Sequence, residues 1–255
     1  MPNLSASDKL LRYRRGDAPL PSHNRLWPLY GAGFDRLGRR GRPVEGSVPH
    51  CDPDELLLRH DASGLCFSDF RVIRAGQEHP RVYRDMEADP VVLGHEVCMT
   101  VVGVGEHLCN GYKVEDRFIV QPGIYLEGVG FAYGYEIQGG LSQYSVIDRR
   151  VLHGDHGNCL VPIQPGAGYA EAALTESWVC VNAAHHLKYR TSLKRGGTAW
   201  IVASPKGPGD RPYTQSAGFD EASHPRALLL TNVPNGFAAW LERRAAVSLP
   251  WRQRE

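Results

Sequence analysis

The sequence predicts a mainly β domain, a small barrel or sandwich, followed by the beginning of a parallel α/β unit. From residue 54 onward, short runs rich in β-forming residues are separated by clusters of Gly, Pro and Asp, a pattern typical of small all-β domains. Beyond Pro165 a long helical pattern is followed by strand, loop, strand and helix patterns. That order of elements indicates a parallel α/β unit.

Residues 1–48 are rich in Arg, Pro and Gly, and we expect them to form a loosely ordered N-terminal arm. The β domain is predicted to span residues 49–168, with a short helix at Phe67–Ile73 between its first two strands. Its predicted strands are Leu56–Arg59, Val97–Val104, Phe118–Gln121, Leu141–Ile147 and Leu160–Ile163.

The α/β segment is predicted to span residues 169–255 and to begin with a long linking helix, Tyr169–Leu187, that has small or apolar residues on one face. Two strands and a helix follow it. These elements are predicted at Thr198–Ala203, Ala227–Thr231 and Gly236–Ala246.

Composition excludes several function classes. Lys and Arg number 29 against 28 Asp and Glu in 255 residues, so neither nucleic acid nor an anionic membrane is expected as a partner. The longest apolar runs, such as Leu56–Leu58, are too short for a transmembrane helix. The polar N-terminus does not resemble a secretory signal, and six scattered cysteines without a CxxC pair favour a reducing compartment, so we expect the cytoplasm.

Three residues form a candidate metal site. Cys66, His95 and Glu96 offer a thiolate, an imidazole and a carboxylate, which are the donor types that bind zinc in proteins. Asp69 is well placed to accept the second ring N–H of a metal-bound histidine. Each residue alone has an ordinary explanation, since a single Cys is usually a buried hydrophobe and Asp69 could cap a helix. Their joint occurrence in a β-rich segment favours a catalytic zinc site.

Six short motifs extend this pattern: Gly64–Asp69, Pro90–Glu96, Val101–Gly105, Val114–Phe118, Gly139–Tyr144 and Ala172–Glu176. In their order and spacing the sequence resembles the zinc-containing medium-chain alcohol and polyol dehydrogenases. It is most similar to the branch that acts on sugar alcohols and their phosphates, such as the sorbose 1-phosphate reductases. The resemblance implies a mainly β GroES-like barrel followed by a partial α/β Rossmann-type segment.

The resemblance also implies the zinc ligands. Cys66 and His95 match two ligands shared by zinc-bearing members, and Glu96 matches a carboxylate that ligates zinc in polyol dehydrogenases. Glu176 matches a further glutamate that either ligates zinc or holds its water, although an acidic residue here also fits a solvated helix surface.

Two departures from the family pattern are visible. Ser177 stands where the family usually has Pro, which could shift the start of the helix by one residue. The interval from Arg117 to Gly139 contains no Cys, although many members hold a second, structural zinc there. We therefore expect one zinc ion.

Further roles concern the substrate, which the resemblance implies is a small alcohol or polyol. Ser68 matches the hydroxyl that relays the substrate proton, and Asp69 matches the carboxylate behind the zinc-bound histidine. Arg71 and Arg81 could meet a phosphate on the substrate, although exposed arginines are usually only solvated.

The implied cofactor is NAD or NADP, bound by a Rossmann domain with a G-x-G-x-x-G fingerprint after its first strand. Only Gly207 and Gly209 fit that fingerprint, because Pro212 stands at the third glycine. Asn232 follows the second strand, where an acidic residue usually holds the ribose hydroxyls.

Chain length leaves two interpretations open. A complete Rossmann sheet has six strands, whereas only two strand patterns follow residue 165, so we hypothesise a truncated or split dehydrogenase. The first interpretation is an enzyme that interconverts an alcohol or polyol and its carbonyl compound. Such an enzyme could act as a single chain, as a homo-oligomer or together with a complementing chain. The second is a catalytically silent zinc-binding remnant.

Overall fold

The computed structural model describes residues 5–186, 193–205, 222–245 and 252–253. The chain divides into two compact units, Met1–Trp178 and Val179–Glu255, so the division lies ten residues beyond the boundary predicted after residue 168.

The first unit contains helices α1 Ala6–Arg15, α2 Phe67–Ala75, α3 Arg149–Leu152 and α4 Tyr169–Ala173, and α5 Thr175–His185 begins in it. Its strands are β1 Asn24–Leu26, β2 Pro28–Leu29, β3 Val44–Gly46, β4 Leu56–Ser63, β5 Val91–Val92, β6 Val97–Val104, β7 Arg117–Val120, β8 Gly123–Leu126, β9 Val129–Ala132, β10 Tyr144–Ile147 and β11 Leu160–Pro162. The predicted strands correspond to β4, β6, β7, β10 and β11, and the predicted short helix to α2.

A five-stranded antiparallel sheet in the order β10-β4-β6-β7-β11 forms the centre of this unit. Leu56, Leu58 and Met99 are completely buried in its core, and removing such side chains from water is the main driving force for folding. Strands β4 and β6 pair from Leu56 opposite Val104 to Ser63 opposite Val97. The segment that follows β4 therefore lies beside the segment that precedes β6.

Residues 5–48 do not form the loosely ordered arm that the sequence predicted. Strand β1 pairs with β3, and β2 pairs with β5. The guanidinium carbon of Arg59 lies 3.4 Å from the ring centroid of Tyr13 in α1. These contacts join residues that are far apart in sequence, so composition alone could not indicate them.

The long helix predicted at Tyr169–Leu187 is divided at Leu174 into α4 and α5, and Leu187 lies outside the described residues. Ala172 and Ala173 of α4 pack against Cys98 of β6. Because this apolar contact attaches α4 to the central sheet, the helix belongs to the first unit, and the division between the units falls later than predicted.

The second unit contains β12 Thr198–Val202, β13 Ala227–Thr231, α6 Asn235–Ala245 and β14 Arg252–Gln253. The strands form a parallel sheet in that order, and Leu228, Leu230 and Leu241 are buried in its core. Strand β14 was not predicted, because two polar residues give no apolar pattern. None of the helices that the structure describes is long and apolar enough to cross a membrane.

A half-buried histidine on β4, His60, makes the stability of the chain depend on pH. The Nδ1 atom of His60 lies 2.8 Å from the Ser142 carbonyl oxygen, and its Nε2 atom lies 2.7 Å from the Tyr133 hydroxyl. Nδ1 therefore donates, and Nε2 accepts from the tyrosine, so the neutral ring is fully paired. Burial lowers the pKa of His60 to about 4.

We expect acid to destabilise the chain through His60. The unfolded state takes up a proton below its ordinary pKa of about 6.5, whereas the folded state takes it up only near 4. Stability is therefore highest above pH 6.5 and falls as the pH drops towards 4, by at most about 3 kcal/mol. Urea unfolding at a series of pH values measures this slope. A His60→Gln variant with an unchanged slope would contradict the assignment.

Candidate metal centre

Cys66, His95 and Glu96 meet where the ends of β4 and β6 lie side by side. Each side chain offers one ligand atom, and the three atoms lie within 4.8 Å of one another. They are the Cys66 sulfur, a His95 ring nitrogen and a Glu96 carboxylate oxygen. Cys66 is half-buried, while His95 and Glu96 are buried, at 9% and 5% exposure. The sequence predicted these three donors, and the fold brings them together.

Asp69 connects two of the donors. Its Oδ2 atom accepts a hydrogen bond of 2.9 Å from the backbone N–H of Cys66, which precedes the first turn of α2. Its Oδ1 atom lies 3.6 Å from Nδ1 of His95. Although burial lowers the pKa of His95, Asp69 and the neighbouring Cys66 raise it to about 9. Asp69 therefore lies where a carboxylate can orient the imidazole ring.

Glu96 is held from two sides. Its Oε1 atom accepts a hydrogen bond of 2.8 Å from the Ser177 hydroxyl. The backbone oxygen of Glu96 accepts a second hydrogen bond, of 2.7 Å, from the Gly64 N–H. A Cβ atom at residue 64 would clash with the Glu96 carboxylate. The position of this carboxylate thus depends on a hydroxyl from α5 and on the absence of a side chain at residue 64.

Glu176 does not belong to the group of three donors, although the resemblance implied that it either ligates zinc or holds its water. It is half-buried near the start of α5. Side chains of adjacent helical residues project about 100° apart. Because the neighbouring Ser177 is the residue hydrogen-bonded to Glu96, the Glu176 side chain leaves the helix in a different direction. The sequence had indicated Ser177 only as a departure from the family pattern, and it gave no indication of this contact.

Ser68 lies beside the tyrosine of a neighbouring loop. Burial raises the pKa of Tyr135, and a hydrogen bond with Ser68 opposes that rise, as does the charge of Arg81. Tyr135 was not among the predicted site residues, because a single tyrosine in a loop has no motif around it.

The proposed cofactor residues lie in the second unit. Asn232 follows β13 and has a φ of 54°, a left-handed conformation that Asn tolerates better than most residues. Gly207 and Gly209 lie outside the described residues.

The three donors fit a zinc ion. A thiolate, an imidazole and a carboxylate together suit zinc better than the harder magnesium or calcium ions, which prefer oxygen ligands. A catalytic zinc site characteristically has three protein ligands and one open position. The Cys66 thiolate and the Glu96 carboxylate would together balance the two positive charges of the ion.

Comparisons with known proteins agree with this geometry. Residues 52–183 match the family model of the alcohol dehydrogenase GroES-like domain. Mannitol-1-phosphate 5-dehydrogenase of Aliivibrio fischeri is 32% identical over 198 residues, which cover 73% of this chain and 45% of that protein. L-sorbose 1-phosphate reductase of Klebsiella pneumoniae is 28% identical over 158 residues, covering 59% and 38% respectively. The chain thus spans less than half the length of either relative.

Solved structures agree with the predicted fold class. A candidate zinc-binding dehydrogenase from Sinorhizobium meliloti 1021, bound to NADP, matches 92% of this chain and 62% of its own with a TM-score of 0.55 and 18% identity. The prediction of a GroES-like domain followed by a partial Rossmann-type segment is therefore confirmed.

Proposed function

Since the chain belongs to the medium-chain alcohol and polyol dehydrogenase family through its GroES-like domain, we propose that it takes part in zinc-dependent interconversion of an alcohol or polyol and its carbonyl compound. The proposed hydride carrier is NAD or NADP. The observation that supports this proposal is the meeting of the Cys66, His95 and Glu96 donors within 4.8 Å. We place the activity in the cytoplasm, where the six free cysteines would stay reduced.

A zinc ion held by Cys66, His95 and Glu96 would act as a Lewis acid and stabilise negative charge on the substrate oxygen. The chain's own residues prepare the site for this chemistry. Asp69 orients His95, while Ser177 and Gly64 fix the carboxylate of Glu96. Glu176, one residue before Ser177, is assigned a supporting role at the zinc or its water.

Ser68 is the proposed proton carrier. Its hydroxyl lies two residues after Cys66 and interacts with the hydroxyl of Tyr135. A hydroxyl can accept the substrate proton while it donates its own to a second hydroxyl. We therefore infer that the proton released when the alcohol is oxidised passes to Ser68, whose half-buried hydroxyl gives up its own proton to water. The hydrogen bond with Tyr135 holds the Ser68 hydroxyl in place.

Asn232 is the proposed contact to the ribose of the cofactor, and Gly207 and Gly209 are proposed to approach its pyrophosphate. A neutral amide at residue 232 would not repel the 2′-phosphate of NADP as a carboxylate would. We therefore propose that the protein accepts either NAD or NADP. Besides the small-molecule substrate, a second copy of the chain or a complementing chain is the proposed partner in the cofactor domain.

Metal analysis and cofactor titration test this function together. We expect purified chain to contain about one zinc ion after dialysis, a stoichiometry that follows from the single three-donor site proposed. Titration with NADH and NADPH, followed by nicotinamide fluorescence, reports cofactor binding. Protein that never binds zinc would contradict the proposed function, and zinc-loaded protein that binds neither nucleotide would favour the silent zinc-binding interpretation.

Removing the Ser177 hydroxyl should weaken zinc binding. Ser177→Ala leaves Oε1 of Glu96 without its donor, and losing such an outer partner typically lowers metal affinity about 10- to 100-fold. Ser177→Thr keeps a hydroxyl and is expected to bind zinc nearly as well as wild type. Competition with a chromophoric chelator measures the affinities. Equal affinities for wild type and Ser177→Ala would show that the hydrogen bond does not position Glu96.

A further inference from the structure

A short hairpin near the N-terminus presents exposed arginines. Residues 36–42 contain four arginines and no acidic residue. Arg39 and Arg42 face each other across a two-residue turn, and the backbone N–H of each donates to the carbonyl oxygen of the other, at 2.9 and 3.1 Å. The two central residues, Arg40 and Gly41, have φ values of 53° and 68°, and two positive φ values are typical of the tight turns that close hairpins.

Arg40 occupies a position of this turn that disfavours arginine. Such turns prefer Asn, Asp or Gly at the first central residue, because most other residues are strained at positive φ. The Arg40 side chain is exposed and forms no hydrogen bond or ion pair with any residue that the structure describes. A strained residue without compensating contacts indicates a role for its side chain beyond the fold.

A second hairpin in the same unit shows how such a position is compensated elsewhere in the chain. Glu127 and Gly128 close the β8–β9 hairpin with φ values of 55° and 75°. Both of their backbone N–H groups donate to the Asp155 carboxylate, at 2.7 and 2.9 Å. The Glu127 carboxylate accepts a hydrogen bond of 2.7 Å from Arg149. Among the described residues Arg40 has no contacts of this kind, so its guanidinium group is available to a ligand.

A cleft of about 410 Å³ lies beside the arginine hairpin, and this volume is in the range of small-molecule sites. One tyrosine, two acidic residues and three arginines line it: Tyr30, Asp35, Glu87, Arg36, Arg39 and Arg40. Arg36 forms an ion pair with Glu87 and donates to the Tyr30 carbonyl oxygen at 3.2 Å. Its charge is therefore already balanced, whereas the charges of Arg39 and Arg40 are not.

Arg39 is held in position at this cleft. Its guanidinium carbon lies over the Tyr30 ring, 4.7 Å from the ring centroid, and a guanidinium group stacked in this way keeps the N–H donors at its edge free. Gly38 sets the direction of the hairpin, because it is buried at a φ of 68° and a Cβ atom there would clash with the Arg42 carbonyl oxygen. The cleft therefore has at least one cation whose place is set before a ligand binds.

The charges in the cleft define the ligand. Each planar guanidinium group matches one carboxylate through two parallel N–H donors, and two bound carboxylates would remove the repulsion between Arg39 and Arg40. Asp35 forms no ion pair in the described ranges, and its carboxylate can accept a hydrogen bond from a hydroxyl group. A phosphate group would concentrate its charge near Asp35, whereas a dicarboxylate divides its charge between two groups.

We propose that Arg39 and Arg40 bind a small hydroxylated dicarboxylate in this cleft, with Asp35 as the acceptor for the ligand hydroxyl. The cleft shares no residue with the group of metal donors. The ligand is therefore distinct from the alcohol substrate, and the inference does not depend on the proposed function.

Calorimetric titration with malate, a hydroxylated dicarboxylate, tests the proposal. We expect Arg39→Gln and Arg40→Gln each to lower the affinity for malate about 10-fold, because each removes one charged donor pair. Arg42→Gln is the matched control, because Arg42 is an exposed arginine of the same hairpin that does not line the cleft. Wild type that does not bind malate, or an equal loss in Arg42→Gln, would overturn the proposal.

Arg40→Asn separates a binding role from a structural one. Asn is favoured at positive φ, so this variant should unfold at a higher urea concentration than wild type while it binds malate about 10-fold less tightly. A lower unfolding midpoint would show that Arg40 serves the fold, and it would contradict the proposal.

Two further titrations identify the ligand class and the place of binding. Inorganic phosphate at the same ionic strength should bind more weakly than malate, and equal affinities would overturn the assignment to a dicarboxylate. Zinc-loaded and metal-free protein should bind malate equally well. Binding that requires zinc would place malate at the metal centre instead of the arginine cleft.

Discussion

Cys66→Ala is expected to leave the chain folded and without bound zinc. Cys66 provides the sulfur among three donors, and the imidazole and carboxylate that remain hold zinc less tightly than three ligands do. Loss of a supporting residue already costs about 10- to 100-fold in metal affinity, so loss of a ligand should cost more than about 100-fold. Atomic emission spectroscopy on dialysed protein measures the zinc content, and circular dichroism reports the fold. His95→Ala should behave in the same way.

A second cysteine variant tests whether the loss of zinc is specific to Cys66. Cys109 is exposed and does not belong to the donor group, so Cys109→Ala should retain wild-type zinc. Cobalt substitution adds a spectroscopic test, because a thiolate ligand produces a charge-transfer band that Cys66→Ala should abolish and Cys109→Ala should preserve. Retention of that band in Cys66→Ala would show that another sulfur binds the metal.

Gly64→Ala should damage the site without touching a ligand. A methyl group at residue 64 would overlap the Glu96 carboxylate and approach the Cβ atom of Glu96 to 2.9 Å. The carboxylate must then move, and with it the hydrogen bond to Ser177. We expect zinc affinity to fall about 10- to 100-fold and the free energy of unfolding to fall by about 1–3 kcal/mol from overpacking.

Gly123→Ala is the matched control for this substitution. A Cβ atom at Gly123 meets no atom within 4 Å, and its φ is not in the left-handed region, so the variant should match wild type in stability and zinc affinity. Urea unfolding and chelator competition measure both quantities. If Gly64→Ala bound zinc as tightly as Gly123→Ala, the carboxylate of Glu96 would not contribute to metal binding.

Much of the site could be predicted because its donors have distinctive chemistry and lie in short motifs. Cys66 immediately precedes α2, and His95 and Glu96 immediately precede β6, so local patterns place each of them at the end of an element. The pairing of Ser63 with Val97 then brings the two segments together. The sequence predicted these β-rich runs but not which of them pair, so the approach of the donors was decided by the fold.

Other features could not be predicted because they depend on contacts between distant segments. Ser177 lies 81 positions from Glu96, and no motif connects the two residues. The strands of residues 24–46 are too short to show a pattern, and they form only because partners such as β5 are available.

The amino-acid sequence by itself determined the fold class, the three donor types and the order in which they occur, since these depend on side-chain chemistry and on local periodicity. Only the tertiary structure decided which neighbours act on those donors. It placed the Ser177 hydroxyl on Glu96 and made a side chain at Gly64 incompatible with that carboxylate. These contacts join residues that are far apart in the sequence, and only the folding of the chain brings such residues close together.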